Sequence, residues 1–183
     1  MGNCSSKERK RLEEARWRSQ TDAAEWSRAC SEPRRIDHPL FAVGLGMRRL
    51  QIVVCPSFEP GRAWEVRQSG DWALYASAVV SEEWEPQLIG YDRVSFSSER
   101  LAGLFGDLIS TSLPLAPDLG GGGGLDGTRY QLAVYGDLSS EWRLQWWSKW
   151  PAPWNPVVER ALAMDREFAA ARASRGLETD SVL

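Results

Sequence analysis

The sequence predicts an α+β fold: a five- to six-stranded, mostly antiparallel sheet with helices packed on one face. Three observations carry that reading. Two pairs of short alternating segments, 62–68 with 72–80 and 128–135 with 141–147, are each joined by a tight glycine-bearing turn. Two further segments, 97–110 and 155–173, carry apolar residues at helical spacing. The chain has 183 residues, 43% of them hydrophobic and 26% charged, which supplies one core and no second.

Residues 1–35 read as a polar tail and a helix that lies across the domain or stays partly detached, and 36–175 as the single domain. The start, Met1-Gly2-Asn3-Cys4-Ser5-Ser6, matches an N-myristoylation pattern at Gly2, with Cys4 placed for palmitoylation and a basic cluster of Lys7, Arg9, Lys10 and Arg11 behind it. One myristoyl chain holds a membrane weakly, so the thiol and the cluster are what a lasting anchor requires. From Glu8 to Ala29 there is no Gly or Pro, and the segment reads as a helix with a thin stripe of Leu12, Ala15, Trp17, Ala23 and Trp26.

The domain begins with a strand over 47–55, MRRLQIVVC, closed by a turn at Pro56, Pro60 and Gly61. In RAWEVRQ, Trp64 and Val66 take one face and Glu65 and Arg67 the other. Ser69-Gly70-Asp71 turns the chain into WALYASAVV, giving three sequential antiparallel strands. The polar stretch 81–92 is expected to cover a sheet edge through Trp84, Leu88, Ile89 and Tyr91. Ser97 or Ser98 caps the next helix, whose inner face is Leu101, Leu104, Phe105, Leu108 and Ile109. Five glycines, Gly120 to Gly124, form an exposed loop before the second hairpin. Asn155 is placed to cap the last helix, with Pro156 at its first position and Val157, Val158, Ala161, Leu162, Met164, Phe168 and Ala169 facing inward.

Composition excludes several functional classes. The net charge of −3 lacks the basic footprint of a nucleic-acid binder. Cys4, Cys30 and Cys55 are odd in number, contain no CxxC and accompany one histidine, His38, so neither a disulfide scaffold nor a structural zinc site is expected. The glycine run lacks the Lys-Ser or Lys-Thr of a phosphate loop, and Gly44-x-Gly46 lacks the third glycine of a dinucleotide fingerprint, so no cofactor is expected. Acid–base pairs can be drawn from Glu82 with Glu83 or Glu85, or from Asp126 with Asp137, and a thiol–imidazole pair from Cys55 or Cys30 with His38. No spacing joins any of them into a catalytic set. No window is long and apolar enough for a spanning helix, which with the absence of an apolar leader predicts a cytoplasmic protein, held at a membrane only if its N-terminus is acylated.

The unusual number is ten Trp against five Phe and four Tyr, because indole rings are enriched where one protein meets another. Trp142, Trp146, Trp147, Trp150 and Trp154 fall within thirteen positions and are the expected partner-binding set, on a sheet face left open by the helices. Glu82, Glu83, Glu85 and Asp137 form its acidic rim toward a basic partner. The segment Leu125-Asp126-Gly127-Thr128-Arg129-Tyr130-Gln131-Leu132, with Trp146-Trp147 and Pro153-Trp154-Asn155-Pro156, resembles the C-terminal part of small bacterial proteins encoded beside toxin genes, some of them regarded as immunity proteins. That resemblance covers about 35 residues and implies a non-enzymatic module that neutralises a cognate toxin by occlusion. Two other functions fit the sequence: an acylated regulatory protein, and a small hydrolase built around Gly120 to Gly124.

Overall fold

The computed structural model describes residues 34–35, 45–79, 87–112, 127–137 and 140–179. Ten elements follow in order: β1 (Arg34–Arg35), β2 (Met47–Pro56), β3 (Gly61–Ser69), β4 (Asp71–Val79), β5 (Gln87–Val94), α1 (Ser98–Ile109), β6 (Thr128–Tyr135), β7 (Glu141–Trp146), a 3-10 turn (Ala152–Trp154) and α2 (Asn155–Thr179). The sheet order is β1-β5-β4-β3-β2-β6-β7 and every pairing is antiparallel. Six strands of ordinary length make an α+β fold with two helices, as the alternating segments predict, and the two-residue β1 adds a short seventh at the β5 edge. The second hairpin returns to the free side of β2, so β2 lies between β3 and β6.

Both helices pack on one face. Leu50, Ile52, Val54, Trp64, Val66, Leu74, Ala76, Leu132, Val134, Leu144 and Trp146 project from the strands to meet Leu101 and Leu108 of α1 and Val157, Val158, Ala161, Met164 and Phe168 of α2. The helices are antiparallel neighbours, with Arg100 forked onto Glu167 at 2.9 Å and Arg160 reaching Asp107. Helix α1 starts at Ser97, whose Oγ accepts from the Arg100 N–H, while Ser98 Oγ accepts from the Trp72 N–H and ties the cap to β4. Ile109, expected on the inner face, is the last residue of the helix and is 54% exposed. The Asn155 side chain accepts from Trp150 Nε1 at 2.7 Å.

Of the stretch 81–92 expected to cover an edge, residues 87–92 belong to the strand β5. The alternation that would have announced it is broken: Ala76 pairs with Asp92 and Ala78 with Ile89, so two residues of β5 oppose one of β4. Gly90, at φ 73°, supplies the backbone that this bulge needs. Leu88 and Tyr91 therefore share a face despite odd spacing.

The sheet face turned away from the helices was expected to be open and lined with Trp. It is instead largely buried, and its buried residues include the polar and phenolic Gln51, Glu65, Arg67, Tyr75, Ser77, Tyr91 and Gln131 beside the apolar Val53, Ala63, Val79 and Leu88. Neither helix contributes to its apolar clusters. Glu65 Oε2 accepts from Arg67 Nε and Nη2 at 3.1 and 3.0 Å and from the Tyr91 hydroxyl at 2.7 Å, while Oε1 accepts from Gln51 Nε2 at 3.2 Å. The Tyr75 and Tyr91 rings stack at 4.6 Å.

Candidate functional site

The five C-terminal tryptophans do not converge on one surface. Trp146 is 5% exposed, stacked on Tyr130 at 5.3 Å within the helix-side core. Trp142 shares that side of β7 but is the strand's second residue and is 37% exposed. Trp150 is half-buried and donates to Asn155, and Trp154 is half-buried against the core. Trp147 is half-buried beside Gly127, where a Cβ would stand 2.7 Å from its Nε1. Asp137 is exposed at the turn before β7 and is paired with Arg49 at 2.7 Å. A six-residue strand spans roughly 20 Å, which separates Asp137 and Trp142 from Trp147 and Trp150. Glu82, Glu83 and Glu85 lie outside the described residues, as do Gly2, Cys4, Cys30, His38, Asp126 and the glycine run.

The sheet end that carries Trp147 is also where the β2–β3 turn projects, and it holds a residue that the alternation patterns do not single out. Phe58 is 85% exposed, the most exposed large apolar side chain among the described residues. The turn beneath it is fixed from both sides. Ser57 donates its N–H to the Gly127 carbonyl at 3.0 Å, and its hydroxyl both donates to that carbonyl at 2.7 Å and accepts from the Gly127 N–H at 3.1 Å. Ser148 Oγ accepts from the Thr128 N–H at 2.7 Å, which joins the end of β7 to the same knot. Gly127, at φ 142°, is the residue that lets these chains approach.

Beside this knot lies an open hollow of about 400 Å³, walled by Val54, Pro56, Phe58, Tyr130 and Arg62, with Glu59 and Thr128 at its rim. Arg62 is anchored from behind. Its Nε and Nη2 donate to Asp165 Oδ1 and Oδ2 of α2 at 2.9 and 2.6 Å, and Asp165 Oδ1 also accepts from Trp64 Nε1 at 2.8 Å. Asp165 is buried while the Arg62 side chain is 36% exposed, so the pair reaches from the core to the hollow. The hydrogen bond to Asp165 raises the Arg62 pKa, against burial that lowers it, so the guanidinium is charged at every working pH.

A second hollow, of about 730 Å³, lies between β4, β5 and the end of α2, lined by Trp72, Arg93, Phe96 and Ser174 among others. Neither hollow is lined by Glu65, Arg67 or Tyr91. Burial, and then the Glu65 charge, push the Tyr91 phenol well above its ordinary value, so it is a donor locked into the network rather than a proton source near neutrality. Burial likewise raises the Cys55 thiol, outweighing the hydrogen bond and charge of Arg129 that lower it, which leaves little thiolate at neutral pH. Among the described residues no group of His, Cys, Asp and Glu is arranged to hold a metal ion, and no helix is long and apolar enough to cross a membrane.

Fold and site together define an α+β scaffold with a rigid, aromatic-tipped sheet end. No family model, no curated protein and no solved structure matches the chain.

Proposed function

We propose that the protein is a non-enzymatic protein-binding module whose contact surface is the sheet end bearing Phe58, with Trp147 and Trp150 as neighbouring aromatic support. In its most concrete form it is an immunity protein, neutralising a cognate toxin by covering the toxin's working surface.

The observation that supports this reading is the exposure of Phe58 on a turn whose base is tied by four hydrogen bonds. Leaving a phenyl ring in water costs about 1.5–3 kcal/mol relative to burying it, and nothing in the fold requires a ring there. Rigid aromatic side chains carry a large share of binding energy because little entropy is lost when they dock. An acyl group at Gly2 and Cys4 would place the same module on a membrane surface, and the intact mass of Gly2-containing peptides from source cells tests that placement.

The test of the binding reading uses the full chain. The wild-type protein and the Phe58→Ser variant are used to capture partners from source cells, and the recovered protein is purified and titrated against both. The expected result is a single partner whose affinity falls at least tenfold with Phe58→Ser and measurably with Trp147→Ala, with no change for Trp142→Ala. Equal affinity for wild type and Phe58→Ser would remove this surface from the function.

A further inference from the structure

We infer that the hollow beside Phe58 is a carboxylate-binding site, with Arg62 as its recognition residue. The ligand class is a carboxylate with an adjoining apolar group, supplied by an acidic side chain or a free chain terminus. The inference rests on the binding reading above and names what the partner presents there.

A guanidinium has two edges that can fork a carboxylate: the side edge, formed by Nε and Nη2, and the end edge, formed by Nη1 and the second N–H of Nη2. In Arg62 the side edge is taken by Asp165, with both bonds in place at 2.9 and 2.6 Å. The end edge makes no hydrogen bond to any described residue, and Arg62 lines the hollow. Asp165 is buried and is itself held by Trp64, so the guanidinium plane is fixed before any ligand arrives. A planar donor pair of this kind, pre-oriented and partly exposed at an opening, matches a second carboxylate in geometry, its charge being shared with Asp165.

The walls specify what adjoins the carboxylate. Pro56, Phe58 and Tyr130 offer apolar surface beside the Arg62 head, and the volume of about 400 Å³ accommodates one or two residues of a peptide. Glu59 at the rim opposes a ligand anion, which limits affinity and makes a second, opposite-signed test available.

This assignment departs from the acidic contact surface that the sequence suggests. A site centred on a buttressed arginine selects an acceptor from its partner, and Asp137, the described member of the acidic rim, is already engaged by Arg49.

Three acetylated probes test it on the intact chain by calorimetry and amide-resolved NMR: acetyl-Phe with a free carboxylate, acetyl-Phe-amide with none, and acetyl-Glu-Phe-amide with the carboxylate on a side chain. Binding of either carboxylate probe about tenfold or more tighter than the neutral amide, with shifts at Phe58, Arg62 and Tyr130, is the expected result. The better of the two carboxylate probes identifies the source. Arg62→Lys keeps the charge but cannot fork a carboxylate, and it should reduce both acids to the level of the amide. Glu59→Gln, an exposed change that leaves the fold intact, should tighten both acids and leave the amide unchanged.

Equal binding of all three probes, no binding of any, or insensitivity of the acids to both substitutions would overturn the site. Those outcomes are distinct from failure of the binding reading, in which Phe58→Ser leaves partner affinity unchanged whatever the probes do.

Discussion

At the scale of single residues, the informative feature is a carboxylate and a guanidinium, Glu65 and Arg67, at 1% and 4% exposure on the same strand face. Removing one partner of a buried ion pair leaves the other charge without compensation and costs about 3–5 kcal/mol, more than the pair contributes as a whole. Glu65→Gln should therefore lower the free energy of unfolding in urea by about 3 kcal/mol or more, and adding Arg67→Met should recover much of it. Tyr91 makes the same network sensitive to alkali. Its phenol holds its proton more tightly in the folded chain than in the unfolded one, where it titrates near 10.0. The stability this represents is complete below that pH and is lost as pH rises from there toward the folded value, because the unfolded chain then binds fewer protons. Tyr91→Phe should flatten this alkaline decline, as read from urea midpoints measured at rising pH. Alternation already assigns Glu65 and Arg67 to one face. It carries no information on whether that face is covered, because a polar residue on a strand reads the same in water as in a satisfied buried network.

At the scale of elements, the hairpins, α1 and α2 follow from patterns within each segment, whereas β5 does not. Its buried residues Leu88 and Tyr91 share a face at a spacing of three because Gly90 and Tyr91 together oppose one residue of β4, while Val94 turns to the helix side. The spacing that reads as a polar edge cover is the signature of a bulge, and only the partner strand distinguishes them. Gly90 is in the left-handed region with open space where a Cβ would point, so Gly90→Ala tests backbone conformation with no steric clash. We expect a loss of about 1–2 kcal/mol in thermal or urea unfolding, with the bulge retained in amide hydrogen-exchange patterns. A loss below a few tenths of that would show that the β4–β5 pairing tolerates a different register. Helix α1 stands at the other extreme: spacing offers Ser97 or Ser98 as its cap and Leu101 and Leu108 as inner residues, and the structure places the cap bond at Ser97 and buries both leucines.

At the scale of the whole molecule, the candidate site is assembled from residues far apart in the chain. Ser57 and Gly127, and Arg62 and Asp165, meet across separations of 70 and 103 positions. Phe58 lies at the surface of this assembly and contributes nothing to its interior. Phe58→Ser should therefore move the unfolding free energy by no more than about 0.5 kcal/mol while weakening partner binding, a separation that urea denaturation and titration on the same samples would show. A large loss of stability would mean that the ring packs against the fold after all. The sequence alone determined the fold class, both hairpins, the position of α1 with a serine at its start, and most of the inner faces of the helices. Each of those is written as a period of two or of 3.6, or as a turn or cap residue, within one short segment. The tertiary structure decided that Trp146 belongs to the core and Phe58 to the surface, that the second sheet face holds a buried polar network, and that Arg62 is anchored by Asp165. Each of these depends on which distant segment comes to lie opposite a given side chain, and a local period cannot encode that.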